Sequence, residues 1–193
     1  MDFLYEHYPE LKPIKEDIDK AIKCIVDCYR NGGLLLLCGN GGSSSDCSHI
    51  TGELMKSFTF KRRSAASPLV DGVPCVDLTS NVALITAIAN DVDPDLIFAQ
   101  QVYVHGKHNP NCVLLGLTTS GNSKNVVKAF EVAKDLNLKT IVLTGDFDSA
   151  SSKICDVVIK APSKETYRAQ EYHLAIYHYI CAQIEENLFE REA

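Results

Sequence analysis

Residues 34–46 read Leu34-Leu35-Leu36-Leu37-Cys38-Gly39-Asn40-Gly41-Gly42-Ser43-Ser44-Ser45-Asp46. The first five are apolar without a break, which marks a short strand covered on both faces rather than one with a solvated side. The rest is a glycine-rich turn that opens a helix. Similar apolar runs recur at 75–78, 113–117, 140–143 and 157–159, and the segments 80–90, 123–136 and 166–188 between or after them are long enough for helices. Upstream, Ile14, Ile18, Ile22, Ile25 and Val26 fall at helical spacing within 12–31, and Asn31-Gly32-Gly33 supplies a stop. Strands that alternate with helices form parallel sheets with right-handed crossovers. The expected fold class is therefore α/β: a three-layer α/β/α doubly wound sandwich with a parallel sheet of about five strands. A single domain over 1–193 is expected, with an N-terminal helical segment over about 1–32. Residues 59–73, with Lys61-Arg62-Arg63, Pro68 and Gly72, break the rhythm and read as a surface loop.

The bulk numbers narrow the function. A chain of 193 residues can bury a proper core without disulfides or metals. With 46% apolar and 23% charged residues it is an ordinary globular sequence. A net charge of −6 argues against a nucleic-acid partner, which calls for a basic patch. The apolar run at 34–38 is far too short to span a bilayer, and 1–9 is acidic and lacks the pattern of a signal peptide, so no membrane association and a cytoplasmic location are expected. Eight cysteines contain no CxxC pair and no zinc-finger spacing; they read as small core hydrophobes in a reducing compartment.

In a doubly wound sheet, ligands bind outside the carboxyl ends of the strands. Two such ends stand out. Gly39-Asn40-Gly41-Gly42-Ser43 follows the first strand and Thr118-Thr119-Ser120-Gly121-Asn122-Ser123 the third, each leading into a helix. Glycine allows close backbone approach to an anion, and helix-start N–H groups favour negative charge. The alternative is a pair of tight strand-to-helix turns with serine caps. Neither loop reads GxxxxGK[ST], and Ser44 stands where GxGxxG needs its last glycine, so no nucleotide cofactor is expected. His49 and Glu53, four residues apart, share a helix face; they could hold a metal, act as base and orienting group, or form an ordinary surface pair. The segment Arg168-Ala169-Gln170-Glu171-Tyr172-His173-Leu174-Ala175-Ile176-Tyr177-His178 sets polar groups among apolar neighbours.

Taken together, these blocks resemble the SIS (sugar isomerase) domain, specifically its phosphoheptose isomerase branch. The matching blocks are Cys38-Gly39-Asn40-Gly41-Gly42-Ser43, His49-x3-Glu53-Leu54, Thr86-Ala87-Ile88-Ala89-Asn90-Asp91, Thr119-Ser120-Gly121-Asn122-Ser123 and Gln170-Glu171-x-His173-x4-His178. The resemblance implies a homotetramer with inter-subunit active sites and interconversion of an aldose and a ketose phosphate, with sedoheptulose 7-phosphate the expected ketose. Glu53 and His178 match the family's catalytic pair. Asn40, Gly41, Gly42, Ser43, Glu53, Asn90, Asp91, Thr118, Thr119, Ser120, Ser123 and Gln170 match its substrate contacts. His49, Glu53, Gln170 and His178 match the Zn²⁺ ligands of some members. Isomerisation needs a base beside a carbonyl and an acid for the enediol, which a Glu–His pair supplies, and Zn²⁺ could polarise the carbonyl.

Two departures fall near the expected substrate mouth. Lys56 and Ser57 stand where many members carry Gly-Arg, and the 59–73 segment is longer than usual. Gln170 and His178, eight residues apart, lie roughly 12 Å apart along a straight helix, too far to share one metal easily. A non-catalytic branch of the same fold, sensing sugar phosphates or binding a replication initiator, is the competing reading. Retention of His49, Glu53, Gln170 and His178 together favours the enzyme.

Overall fold

The structure, a computed structural model, describes residues 3–62 and 68–190. Strands β1 (Leu35–Gly39), β2 (Cys75–Asp77), β3 (Val113–Leu117), β4 (Lys139–Thr144) and β5 (Val157–Lys160) form one parallel five-stranded sheet in the order β2-β1-β3-β4-β5. The helices are α1 (Phe3–His7), α2 (Lys15–Arg30), α3 (Gly42–Met55), α4 (Val82–Asp91), α5 (Ala99–His108), α6 (Lys124–Asp135), α7 (Ala150–Ile154) and α8 (Thr166–Leu188). The expected α/β/α sandwich with five parallel strands is the observed one.

Alternation along the strands divides the apolar residues between two cores. Leu35, Leu37, Val113, Leu115, Ile141 and Leu143 face a core closed by α2, α3 and α8. Leu36, Cys38, Leu114 and Val142 face the opposite core, closed by α5 and α6. Full burial of each large aliphatic side chain contributes about 1.5–3 kcal/mol, so the unbroken run at the start of β1 stabilises both layers at once. The helices meet the sheet through regular stripes: Ile18, Ala21, Ile22 and Ile25 on α2, and Val126, Ala129, Phe130 and Ala133 on α6.

β1 lies between β2 and β3, so the chain leaves β1 toward one edge of the sheet and β3 toward the other. The loops after these two strands diverge and open a crevice between them, the topological switch point of such folds.

Several details differ from expectation. The first long helix starts at Lys15 rather than at 12, because Pro13 sits in a 3-10 turn over Pro9–Ile14 and proline lacks the N–H an α-helix needs. β2 has only three residues. Helix α5 was not anticipated. The 59–73 segment is no simple surface loop: Arg62 is 3% and Val73 7% exposed, while 63–67 lie outside the described residues.

Candidate active site

The β1 loop turns into α3 through Gly41, whose φ of +58° suits glycine, and Gly42, where an added Cβ would stand 2.6 Å from the Gln170 amide nitrogen. Gln170 thus lies against the first loop. In the β3 loop Gly121 has φ +66°, and an added Cβ would collide with Ser149. Thr118 Oγ1 and Ser123 Oγ are 3.1 Å apart, and Ser120 Oγ accepts from Asn122 N–H. Ser123 is the N-cap residue of α6 but makes no side-chain cap, leaving its hydroxyl toward Thr118 and the loop. Across the crevice Asn40 and Asn125 exchange two amide hydrogen bonds, each of 2.9 Å.

Beside these loops, α3 and α8 bring three sequence-predicted residues together. His49 Nε2 lies 3.3 Å from Glu53 Oε1 and 3.4 Å from His178 Nε2. The His49 and His178 rings meet edge to face at 4.9 Å, and Phe58 stacks on His178 at 5.4 Å. The Lys56 ammonium stands 3.5 Å from the other Glu53 oxygen. Burial pushes the His178 pKa down, with His49 adding to the effect and Glu53 opposing it, so the ring is neutral near pH 7.

Tyr177 and Asp46 complete the cluster. Tyr177 OH lies 3.2 Å from Asp46 Oδ1 and 3.0 Å from His49 Nδ1. An ionised Asp46 only accepts, so Tyr177 donates to it and its oxygen accepts from His49 in the tautomer protonated at Nδ1; in the other tautomer Nδ1 accepts from the Tyr177 hydroxyl and Nε2–H donates to Glu53. The Nδ1–H tautomer leaves a lone pair on His49 Nε2, turned toward the Glu53 carboxylate and the His178 ring. His178 Nε2–H can satisfy it; facing Glu53, a proton on His49 or a bound cation is needed. Burial raises the Asp46 pKa, opposed by the Tyr177 hydrogen bond and by His49.

Edges of 3.3–3.4 Å are those of a tetrahedron with bonds of about 2.0–2.1 Å, as around zinc. Both edges share His49 Nε2, and among the described residues no three His, Cys, Asp or Glu side chains close into a metal cage. Gln170 is not brought to this cluster: α8 begins at Thr166, ahead of it, and runs unbroken past His178. Asn90 and Asp91 are exposed at the end of α4, where Asn90 Nδ2 donates to Asp91 Oδ1. No arginine stands at position 57, and Arg62 turns inward rather than toward the crevice. A cleft of about 500 Å³ lies at the other end of the sheet, lined by Cys24, Cys28, Asn111 and Lys139. The catalytic candidates line an open crevice instead.

Sequence reasoning missed Tyr177, Asp46, Asn125 and Phe58. Asp46 precedes His49 by three residues on one helix face, a usable signal; the others are placed by contacts across the fold.

A 2-1-3-4-5 parallel sheet, hydroxyl-rich loops at its switch point and a Glu–His cluster on the flanking helices define a class, and residues 10–145 match the SIS domain model. The chain belongs to the SIS-domain family, in its phosphoheptose isomerase branch. It is 38% identical to the phosphoheptose isomerase of Aneurinibacillus thermoaerophilus, covering 89% of this chain and 82% of the relative. It is 41% identical to phosphoheptose isomerase 2 of Campylobacter jejuni over 86% of this chain and 77% of that one. The solved structure of a phosphoheptose isomerase from Francisella tularensis matches with a TM-score of 0.80 at 34% identity, covering 96% of this chain and 97% of that one.

Proposed function

We propose that this protein is a phosphosugar aldose–ketose isomerase, acting on sedoheptulose 7-phosphate to give D-glycero-D-manno-heptose 7-phosphate. The observation that carries the reading is His49 Nε2 standing between Glu53 and His178 beside the switch-point loops. Glu53 removes the proton from the carbon next to the carbonyl. Neutral His178 donates its N–H to the carbonyl oxygen and exchanges the proton with the enediol, and Glu53 returns its proton to the neighbouring carbon. Asp46 and Tyr177 hold the orientation of His49.

The phosphate is assigned to Thr118, Thr119, Ser120 and Ser123 at the start of α6, where unpaired helix N–H groups favour an anion. Asn40, Gly41, Gly42, Ser43 and Gln170 take the sugar hydroxyls. A Zn²⁺ held at His49 and His178 would polarise the carbonyl and leave Glu53 free as the base; the single lone pair that His49 Nε2 presents when its Nδ1 is protonated, 3.4 Å from His178 Nε2, supports this. Assembly as a homotetramer is supported by α4, which exposes Val82 and ends beside exposed Val92; in that assembly Asn90 and Asp91 would serve a neighbouring copy. A cytoplasmic location fits eight free cysteines, and among the described residues no helix is long and apolar enough to cross a membrane.

The deciding experiment is a turnover assay across C5 to C7 ketose phosphates, with and without added zinc. Isomerisation strongest on the seven-carbon substrate supports the assignment. Tight binding of a sugar phosphate without turnover makes the protein a sensor instead.

A further inference from the structure

Arg62 and Glu185 form a buried ion pair behind the site, with Nε to Oε1 at 3.1 Å and both side chains 2% exposed. Burying two charges is unfavourable unless each is held by further hydrogen bonds. Among the described residues, the further side-chain hydrogen bonds lead toward the site. Arg62 Nη2 donates to the carbonyls of Glu53, Leu54 and Lys56, at 3.1, 3.2 and 2.6 Å. Glu53 and Leu54 lie in the last turn of α3 and Lys56 is its C-cap, where helix carbonyls lack partners within the helix; the Leu54 carbonyl also accepts from Val73 N–H. A cation at that end also complements the helix dipole. Glu185 accepts from the Phe58 and Thr59 N–H groups at 2.8 and 2.7 Å, and from the Thr59 hydroxyl. Phe58, held in this way, lays its ring on His178 with an interplanar angle of 20°.

One ion pair therefore fixes both members of the acid–base pair: Arg62 holds the helix end that carries Glu53, and Glu185 holds the aromatic wall behind His178. We propose that Arg62 and Glu185 are positioning residues for the Glu53–His178 chemistry, acting from behind the site without touching substrate. This rests on the isomerase reading of the same site. It also explains the basic residue at 62 in a segment whose sequence suggested a surface loop.

The test uses the double variant Arg62→Met/Glu185→Gln, which removes both buried charges together, alongside Phe58→Leu and Phe58→Tyr in the full chain. In folded double variant, kcat for the ketose phosphate should fall by about 10²-fold, the scale of a misplacement near 1 Å, while KM stays within about threefold. Phe58→Leu should lower kcat in the same direction, and Phe58→Tyr, which keeps the stack, should restore it. If that double variant does not fold, Arg62→Gln/Glu185→Gln carries the test, since it also removes both charges and keeps an acceptor for the Phe58 N–H. A second readout needs no turnover: the His178 ring-proton resonances at fixed pH, displaced by the Phe58 ring in the wild type, should move toward unstacked values in Phe58→Leu and in the charge variants. Failure of the wild type to isomerise any sugar phosphate would remove the reaction and leave this readout standing. Unchanged kcat together with unchanged His178 resonances in folded charge variants overturns the inference.

Discussion

Asn40 and Asn125 exchange both of their amide hydrogen bonds across the crevice, joining the loop after β1 to the first turn of α6. Each bond contributes about 0.5–1.5 kcal/mol net. Asn125→Ala should loosen the two loops and raise KM for a sugar phosphate about 3- to 10-fold, with kcat nearly unchanged. Steady-state kinetics check this; an equal fall in kcat would place Asn125 in the chemical step.

Glu53→Gln should abolish isomerisation while the fold persists. The amide keeps the size of the side chain but cannot accept the proton, a loss of about 10² to 10⁴ in rate. Turnover followed by product formation, with a thermal melt as control, decides the matter. Near-normal turnover removes Glu53 from the mechanism.

Ser120→Ala and Ser123→Ala should each raise KM for the phosphorylated sugar. A lost donor to a charged group is worth about 1.5–3 kcal/mol, or roughly 10- to 150-fold. Ser123→Ala also removes the 3.1 Å contact with Thr118, so its effect should be the larger. A crystal soaked in phosphate should show the anion on this loop; an anion seated only at Gly39–Ser43 would reverse the assignment.

Chelation of zinc should lower activity without unfolding the domain, because neither core depends on the metal. Ligand histidines must be neutral, so affinity falls as pH falls. Burial holds the His178 pKa below the ordinary value near 6.5, so its loss as a ligand should begin below that pH. Metal analysis of untagged protein purified without chelator gives the test. Full activity with no zinc leaves a metal-free Glu53–His178 isomerase.

His173, 0% exposed on α8, should make the fold acid-sensitive. Burial pushes its pKa from the usual 6.5 down to about 4. Between those values the unfolded chain binds more protons than the folded one. The stability is therefore complete above pH 6.5 and falls as pH drops, by roughly 3 kcal/mol at pH 4. Urea midpoints measured across this window should slope less in His173→Gln than in the wild type; parallel slopes would clear His173.

The sheet was legible because a parallel strand buried on both faces must be apolar throughout, as at Leu35–Leu37. Helix α5 was not legible: its buried side is Ala99, Gln101, Val102 and Gly106, which carries little apolar periodicity. At Gly106 an added Cβ would stand 2.6 Å from a Leu138 methyl, so glycine lets α5 lie close against that side chain. At the site, His49 and Glu53 could be paired from spacing on one helix. Tyr177 at His49 and Phe58 on His178 depend on how α3, α8 and the segment after α3 meet, and no local pattern encodes that. Arg62 was misjudged for the same reason, since its partner Glu185 lies far along the chain.

Helix α8 has a consequence for the order of events in refolding. It closes the first core through Ile176, Ile180 and Ile184 and also delivers Gln170, Tyr177 and His178 to the crevice. Parallel strands and their flanking helices can assemble first, but a chain in which α8 has not yet docked holds Glu53 and His49 with no acid opposite them. Regain of catalytic activity should therefore lag behind regain of sheet signal, and the interval between the two measures the docking of a single helix.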